Sequence, residues 1–121
     1  MDKLENYRRI VQQFIKEYAD FSTFDNGIEN QTIFDLENDR YMLLSIGWLQ
    51  GRRIHYCIMH IDIIAGQVWI QANNTDRLIA EELIAAGVSP ESIILGLQPP
   101  ELREYTGLGI PHTQQKSLQV G

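Results

Sequence analysis

The stretch HIDIIAGQVWIQ, from His60 to Gln71, decides the fold of this chain. Its apolar and polar residues largely alternate on both sides of Ala65-Gly66, which predicts two antiparallel strands joined by a two-residue turn. The predicted partners, moving away from the turn, are Ile64 with Gln67, Ile63 with Val68, Asp62 with Trp69, Ile61 with Ile70 and His60 with Gln71. Because side chains alternate along a strand, this register separates an apolar face from a mixed one.

The two faces of the hairpin predict different surroundings. One face is wholly apolar and is expected to point into the core; its residues are Met59, Ile61, Ile63, Val68, Ile70 and Ala72. The other combines aromatic and polar side chains, which is typical of protein interfaces. Extending the alternation backwards, with a second two-residue turn at Gln50-Gly51, adds residues from the preceding strand. The candidate interface residues are Tyr41, Leu43, Tyr56, Ile58, His60, Asp62, Trp69 and Gln71.

The segments before and around this hairpin predict helix and sheet in succession. Apolar residues at spacings of three and four through residues 2–19 predict one amphipathic helix. After the Asn26-Gly27 turn signal, four runs rich in Ile, Tyr, Trp and Met follow with short turns between them. These runs are QTIFDLEN at 31–38, RYMLLSIGW at 40–48, RIHYCIMHIDII at 53–64 and QVWIQA at 67–72. Sequential strands with short connections predict an antiparallel meander.

A second helix and a fifth strand are predicted after the meander. Apolar spacing is helical over 76–86, and Gly87 is the expected C′ residue of that helix. The candidates for its N-cap are Asn74, Thr75 and Asp76. The run IILGL at 93–97 predicts a short fifth strand, while Ser89-Pro90 and Pro99-Pro100 each predict the start of a helical turn.

Length and composition fit one globular domain. The chain has 121 residues, of which 44% are hydrophobic, and this is enough to bury a core. We predict an α+β fold, with an antiparallel four- to five-stranded meander, an N-terminal helix and a second helix after the strands. The domain is expected to span 1–110, followed by a weakly ordered tail at 111–121. No apolar run is long enough to span a membrane as a helix.

Charge and cysteine content narrow the function classes. The net charge of −6 disfavours direct nucleic-acid binding, because phosphate contacts need clustered Lys and Arg. Only Arg8-Arg9 and Arg52-Arg53 are adjacent basic pairs. Cys57 is the single cysteine, so the chain has no internal disulfide and no paired-cysteine metal motif, which predicts a reducing, cytoplasmic location. No glycine spacing typical of phosphate binding is present, and no cofactor is predicted.

His60 and Asp62 raise the question of chemistry. Both side chains leave one face of a strand, where a histidine with a carboxylate could act as a general base or, with His55 or His112, hold a metal ion. No motif supplies a nucleophile, however, and strand alternation puts His55 and Cys57 on the opposite face. We therefore interpret His60 and Asp62 as structural or interface residues, and predict no catalytic residue and no metal ligand.

Motifs along most of the chain resemble the XisI-like family, the fdxN-element excision controlling factors of cyanobacteria. The matching positions are Asp39-Arg40-Tyr41, Gly47-Trp48, His60 to Ile63, Gly66, Trp69 to Gln71, Thr75-Asp76, Ile79-Ala80, Glu82-Leu83, Gly87-Val88, Ile93 to Gly96, Pro100-Glu101, Arg103 and Thr106. The resemblance covers residues 1–110. It implies a cytoplasmic protein that regulates DNA recombination at an excised element, beside a site-specific recombinase and a companion protein, XisH.

Three functional hypotheses follow. The first is a non-enzymatic controlling factor that acts by protein–protein interaction, with an XisH-like partner and as a homo-oligomer. The alternative is a metal-dependent hydrolase or nuclease component using His60 and Asp62. The third is direct DNA binding through the basic pairs Arg8-Arg9 and Arg52-Arg53, which the acidic charge disfavours.

Overall fold

A computed structural model of the chain describes residues 2–21, 27–103 and 106–108. Helix α1 spans Lys3–Phe21. Strands β1 to β4 span Ile28–Asp35, Arg40–Leu49, Arg52–Ile64 and Gln67–Asn73, and helix α2 then spans Ile79–Ala86. A 3₁₀ turn at Pro90–Ser92 leads into strand β5 at Ile93–Leu95, and helix α3 spans Pro100–Arg103. The predicted tail at 111–121 and the Asn26 end of the predicted turn lie outside the described residues.

The strands form one five-stranded sheet in the order β1-β2-β3-β4-β5. The first four strands pair antiparallel in sequence order, which confirms the predicted meander. Strand β5 returns through α2 and pairs with β4 in parallel, so the meander ends at four strands. The predicted α+β fold class is therefore confirmed, and β1 begins three residues earlier than its predicted start at 31.

Both predicted two-residue turns are present. Ala65 and Gly66 have φ values of 52° and 79°, and Gln50 and Gly51 have 51° and 78°. Positive φ at both central positions is the geometry that matches the right-handed twist of a hairpin. Pairing from Ile64–Gln67 to Ile61–Ile70 follows the predicted register.

The two long helices lie on the same face of the sheet. Helix α1 contacts β1, β2 and α2, while α2 contacts β4. The α1 stripe buries Tyr7, Ile10, Val11, Ile15 and Ala19, and α2 adds Ile79 and Leu83. Opposite them the sheet contributes fully buried side chains such as Leu43, Met59 and Ile61. We call this the core face.

A β-bulge in β3 reverses the side-chain alternation expected for its first half. Leu43 pairs with Met59 and Leu44 with Cys57, so Ile58 is an extra residue with no partner. The prediction that Tyr41 and Leu43 lie on the mixed face was therefore wrong. Tyr41 pairs with Ile61, and both Tyr41 and Leu43 have no exposed surface.

A second bulge lies in β4. His60 pairs with Ala72 and Ile61 with Ile70, so Gln71 is the extra residue, and the predicted pairing of His60 with Gln71 was wrong. Because directly paired residues lie on one side of a sheet, Ala72 shares the face of His60 and is not part of the apolar face.

The caps of α2 were predicted in part. Its N-cap is Leu78, without a side-chain hydrogen bond, so none of the three predicted capping residues caps the helix. Thr75 instead contacts Asn73 and accepts a hydrogen bond from the Arg77 amide, which stabilises the loop before the helix. At the other end Gly87 has φ 124°, and the Val88 amide donates to the Leu83 carbonyl, as the predicted C-terminal cap requires.

Candidate protein-binding face

The sheet face opposite α1 and α2 is the candidate site, and we call it the open face. Strand β2 alternates strictly and contributes Arg40, Met42, Leu44, Ile46 and Trp48 to it. Their partners on β3 are Asp62, His60, Cys57, His55 and Arg53. Strand pairing adds Ile33, Ile64, Gln67, Trp69 and Ile94 around these five rows.

The open face carries large apolar side chains in contact with solvent. Trp48 is 58% exposed, Ile64 47% and Ile33 45%. Met42, Leu44 and Ile46 between them are half-buried, although neither α1 nor α2 lies above them. Contiguous apolar surface of this kind on a small protein marks an interaction site more often than scattered single residues do.

A polar cluster lies near one end of the open face. The His60 ring nitrogen Nε2 lies 2.7 Å from Oδ1 of Asp62, and Gln71 donates from Nε2 to Asp62 Oδ2 at 3.3 Å. Asp62 is 8% exposed, so its carboxylate is nearly enclosed by these two partners. Both oxygens are engaged, which is how buried carboxylates are stabilised.

The groups around this cluster give little support for catalysis, because in the part of the chain that the structure describes neither a set of metal ligands nor a reactive nucleophile lies beside it. Among the residues the structure describes, no group of three or more His, Cys, Asp or Glu side chains is placed to hold a metal ion. The bulge moves His55 and Cys57 to the open face, contrary to the predicted alternation, but each lies in a different row from His60. Burial raises the pKa of the Cys57 thiol, and its Sγ donates to the Met59 carbonyl, so the reactive thiolate is disfavoured. His112 lies outside the described residues.

Trp69 is held from above by the segment that follows β5. The Arg103 guanidinium lies 5.2 Å from the centre of the Trp69 ring, a cation–π contact. Arg103 also donates to the carbonyls of Leu95 and Gln98, which fixes the turn before α3. A Cβ at Gly96 would lie 2.3 Å from Gln71 Oε1, so this backbone approaches the open face closely. The sequence reasoning missed the roles of Arg103 and Gly96, since no local pattern marks a contact across 25–34 residues of chain.

The opposite end of the face has its own aromatic–cation pair. The Arg53 guanidinium lies 5.5 Å from the centre of the Trp48 ring. Trp48 was absent from the candidate interface residues, although strict alternation in β2 from the Gln50-Gly51 turn would have separated it from Leu43 and Tyr41. The error arose from extending β3 through the bulge.

The eight candidate residues divide into two groups. His60, Asp62, Trp69 and Gln71 lie together on the open face as predicted. The other four belong to the core side; they are Tyr41, Leu43, Ile58 and Tyr56, which pairs with buried Ser45. Tyr56 itself is 50% exposed at the end of the sheet.

A separate ion pair joins α1 to the sheet. Arg8 donates from Nε to Asp39 Oδ1 at 2.7 Å and from Nη2 to Oδ2 at 3.0 Å, and the Tyr41 hydroxyl also donates to Oδ1. The Arg8 hydrogen bonds hold the pKa of the Asp39 carboxyl below its usual range. Arg8 also contacts Glu5, so two carboxylates offset its charge. This leaves one member of the Arg8-Arg9 pair poorly placed to contact a phosphate backbone.

Fold and site together define a two-layer α+β protein, with the two long helices on one side of the sheet and an aromatic, partly polar face on the other. The family model described as XisI protein matches residues 1–110, and the chain belongs to the XisI family. Within the described ranges, no helix is long and apolar enough to cross a membrane.

Two solved structures resemble the chain closely. A XisI-like protein from Anabaena variabilis ATCC 29413 is 41% identical, with a TM-score of 0.84, and the match covers 89% of this chain and 99% of that one. The fdxN element excision controlling factor XisI from the same organism is 33% identical, with a TM-score of 0.78, covering 88% of this chain and 97% of that one. A comparison with curated proteins found no match.

Proposed function

We propose that this chain is a non-enzymatic controlling factor of DNA-element excision that acts by binding other proteins through its open face. Its family and its likeness to a structure named as an fdxN element excision controlling factor support the role in excision. The observation that carries the mode of action is the open face itself. Exposed Trp48, Ile64 and Ile33 surround half-buried apolar side chains, and neither long helix lies above them.

The chemistry of this face favours protein over nucleic acid. The net charge of −6 opposes binding to a polyanion, and Arg8 is paired with carboxylates on the other side of the molecule. Aromatic and arginine side chains at both ends of an apolar patch are the composition of energetically important interface residues. The proposed partner is an XisH-like protein, and the proposed location is the cytoplasm.

The test is the molar mass of the complex. The chain is co-expressed with an XisH-like protein, and the molar mass is measured by light scattering across size-exclusion peaks. We expect one peak containing both proteins. Trp69→Ala should reduce co-elution strongly, because it removes the ring between Arg103 and the polar cluster.

Leu78→Ala is the matched control. Leu78 is 64% exposed and lies before α2, away from the open face, so its loss should leave the complex intact. Separate elution of the two wild-type proteins would contradict the proposal that an XisH-like protein is the partner. If Trp69→Ala leaves both the complex and the stability of the chain unchanged, the open face is not the binding surface.

A further inference from the structure

We infer that the free edge of β3, from Arg52 to Tyr56, binds an extended acidic segment of a partner protein by strand addition. The inference deepens the proposed function, since it rests on this chain acting by binding a protein and names the chemistry of the bound segment. The edge borders the open face at the end that carries Trp48 and Arg53.

Strand β3 extends beyond its neighbour β4. The pairing of the two strands ends where Asn73 lies opposite Met59, so within the described parts of the chain no strand pairs with β3 between Arg52 and Ile58 on that side. On its other side β3 pairs with β2 as far as the turn. A strand with one unpaired edge can accept a further strand through its main-chain N–H and C=O groups.

The main-chain groups of Arg53 and His55 point toward this free side. In a two-residue hairpin the pair of residues next to the turn exchanges hydrogen bonds, and every second pair after it does so too. Arg53 and His55 belong to the pairs between these, so their N–H and C=O groups turn away from β2. The Cys57 carbonyl follows the same alternation, and it accepts a hydrogen bond from Asn74 Nδ2 just beyond the end of β4.

The hairpin formed by β2 and β3 is the basic part of an acidic chain. All 16 acidic residues lie outside 40–61, a range that contains three arginines and two histidines. Arg8 and Arg77 each contact a carboxylate. Neither Arg52 nor Arg53 forms an ion pair with any residue that the structure describes. Guanidinium groups without a carboxylate of their own favour an acidic ligand.

The contact between Arg53 and Trp48 is compatible with such a ligand. The guanidinium lies 5.5 Å from the centre of the ring, and a contact of this kind engages the flat face of the cation while its N–H groups point outward in its plane. One of these groups, at Nη1, makes a long contact of 3.4 Å with the Gly47 carbonyl. A carboxylate can therefore approach the edge of the guanidinium without displacing the ring.

Both sides of the edge suit a strand in which acidic and apolar residues alternate. Arg53 and His55 lie on the open face, whereas Ile54 and half-exposed Tyr56 lie on the other side. Carboxylates at every second position of the added strand would lie beside Arg53 and His55. The apolar side chains between them would then cover Ile54 and Tyr56.

The same features separate this partner from two others. A nucleic acid has no ladder of N–H and C=O groups that could pair with the edge of a strand, so it would leave the outward main-chain groups unused. A second copy of the chain, joined through the same edge, would bring one basic edge against another, and like charges in adjacent strands are destabilising.

A labelled peptide tests the edge on the complete chain. The probe is a fluorescein-labelled peptide of alternating glutamate and valine, and its control carries glutamine at every glutamate position. We expect the fluorescence anisotropy of the glutamate peptide to rise as the chain is added, and that of the glutamine peptide to change far less. Arg53→Glu should weaken binding by about tenfold or more, because repulsion replaces attraction. Arg9→Glu makes the same change of charge on an exposed position of α1 and should leave the affinity nearly unchanged.

His55→Pro tests the main-chain contact separately from the charge. Proline removes the His55 N–H, which points away from β2, and proline is tolerated at a strand edge where that group is not used. Peptide binding should be lost in His55→Pro and kept in His55→Val, which retains the N–H. Circular dichroism first establishes that both variants fold. If His55→Pro does not fold, the comparison of Arg53→Glu with Arg9→Glu decides.

Each outcome decides the inference. A glutamate peptide that leaves the anisotropy unchanged overturns it, and so does peptide binding that folded His55→Pro or Arg53→Glu leaves as tight as in wild type. Binding of fluorescein-labelled oligothymidylate without binding of the peptide would assign the basic edge to nucleic acid instead.

The complex with the XisH-like protein separates this inference from the proposed function. If that complex forms and survives Arg53→Glu while the peptide does not bind, the inference is wrong and the proposed function stands. If the peptide binds as expected but no complex forms, the inference is supported and the XisH-like protein is not the partner.

Discussion

Leu43 and Leu44 are neighbours in one strand, yet they point into different environments. Leu43 has no exposed surface and lies in a strand that packs against α1, whereas Leu44 is half-buried at the centre of the open face. Both faces of the sheet carry large apolar residues, and only one of them is covered by the two long helices. The difference teaches that apolar content alone does not identify the core of this protein. What each side chain contributes depends on whether a helix lies above it.

The largest expected loss of stability comes from shortening the buried leucine of this pair. Leu43→Ala should lower the free energy of unfolding by about 3 kcal/mol, because it leaves a cavity between the sheet and α1. Leu44→Ala, the matched variant one residue along, should lower it by about 1 kcal/mol or less in dilute solution. Urea unfolding followed by circular dichroism measures both.

The concentration of the XisH-like partner separates the two effects further. Stability gained through a partner bound at the open face depends on the concentration of that partner, whereas core packing does not. The deficit of Leu44→Ala relative to wild type should therefore grow as the concentration of the partner rises, while that of Leu43→Ala stays constant. Equal losses for both variants at every concentration would show that the two faces are not different in the way described.

The same comparison shows what the sequence could predict. The turns at Gln50-Gly51 and Ala65-Gly66 were predicted because a glycine at the second position permits the required positive φ. The bulges at Ile58 and Gln71 were not, because an inserted residue needs no glycine and leaves the composition of the strand unchanged. Because the bulge at Ile58 was not predicted, Tyr41 and Leu43 were assigned to the wrong face.

The candidate site was predicted in the part closest to a well-marked turn. Asp62 and Trp69 lie between the Ala65-Gly66 turn and the bulge, so alternation placed them correctly. Arg103 and the covering of one face by both helices depend on tertiary packing, which amphipathic spacing does not orient. The spacing predicts that a helix has a buried side, but does not say which face of the sheet receives it.

A smaller loss of stability is expected from removing the Arg8–Asp39 ion pair, which fixes α1 against the core face. Arg8→Met keeps the aliphatic stem but removes the two hydrogen bonds to Asp39, and should lower the free energy of unfolding at neutral pH by less than Leu43→Ala does. Because the folded pKa of Asp39 is lowered, its ionisation stabilises the fold above the unfolded pKa, and this stability is lost as pH falls through the folded value. The difference between wild type and Arg8→Met should therefore be full at neutral pH and shrink below about pH 4.

The control for that experiment is Glu5→Gln. Glu5 also contacts Arg8, but its side chain is 57% exposed, so its removal should change stability by a few tenths of a kcal/mol at most. Urea unfolding from neutral to acid pH measures both variants. A difference between wild type and Arg8→Met that does not change with pH would assign the effect to packing of the Arg8 stem instead of the ion pair.

The smallest expected effect is at Gly96, where the segment after β5 approaches the open face. Gly96→Ala adds a Cβ that would lie 2.3 Å from Gln71 Oε1 and 3.1 Å from Trp69 Cε3. Gln71 is flexible and gives way by losing its hydrogen bond to Asp62, so the expected cost is about 1 kcal/mol, with a shift in tryptophan fluorescence as Trp69 moves. If the clash is with Gln71, Gln71→Ala combined with Gly96→Ala should cost less than the two single changes added together. Additive losses would place the strain on Trp69 and its contact with Arg103, so that the end of the open face near α3 would be fixed by that stack and not by the polar cluster.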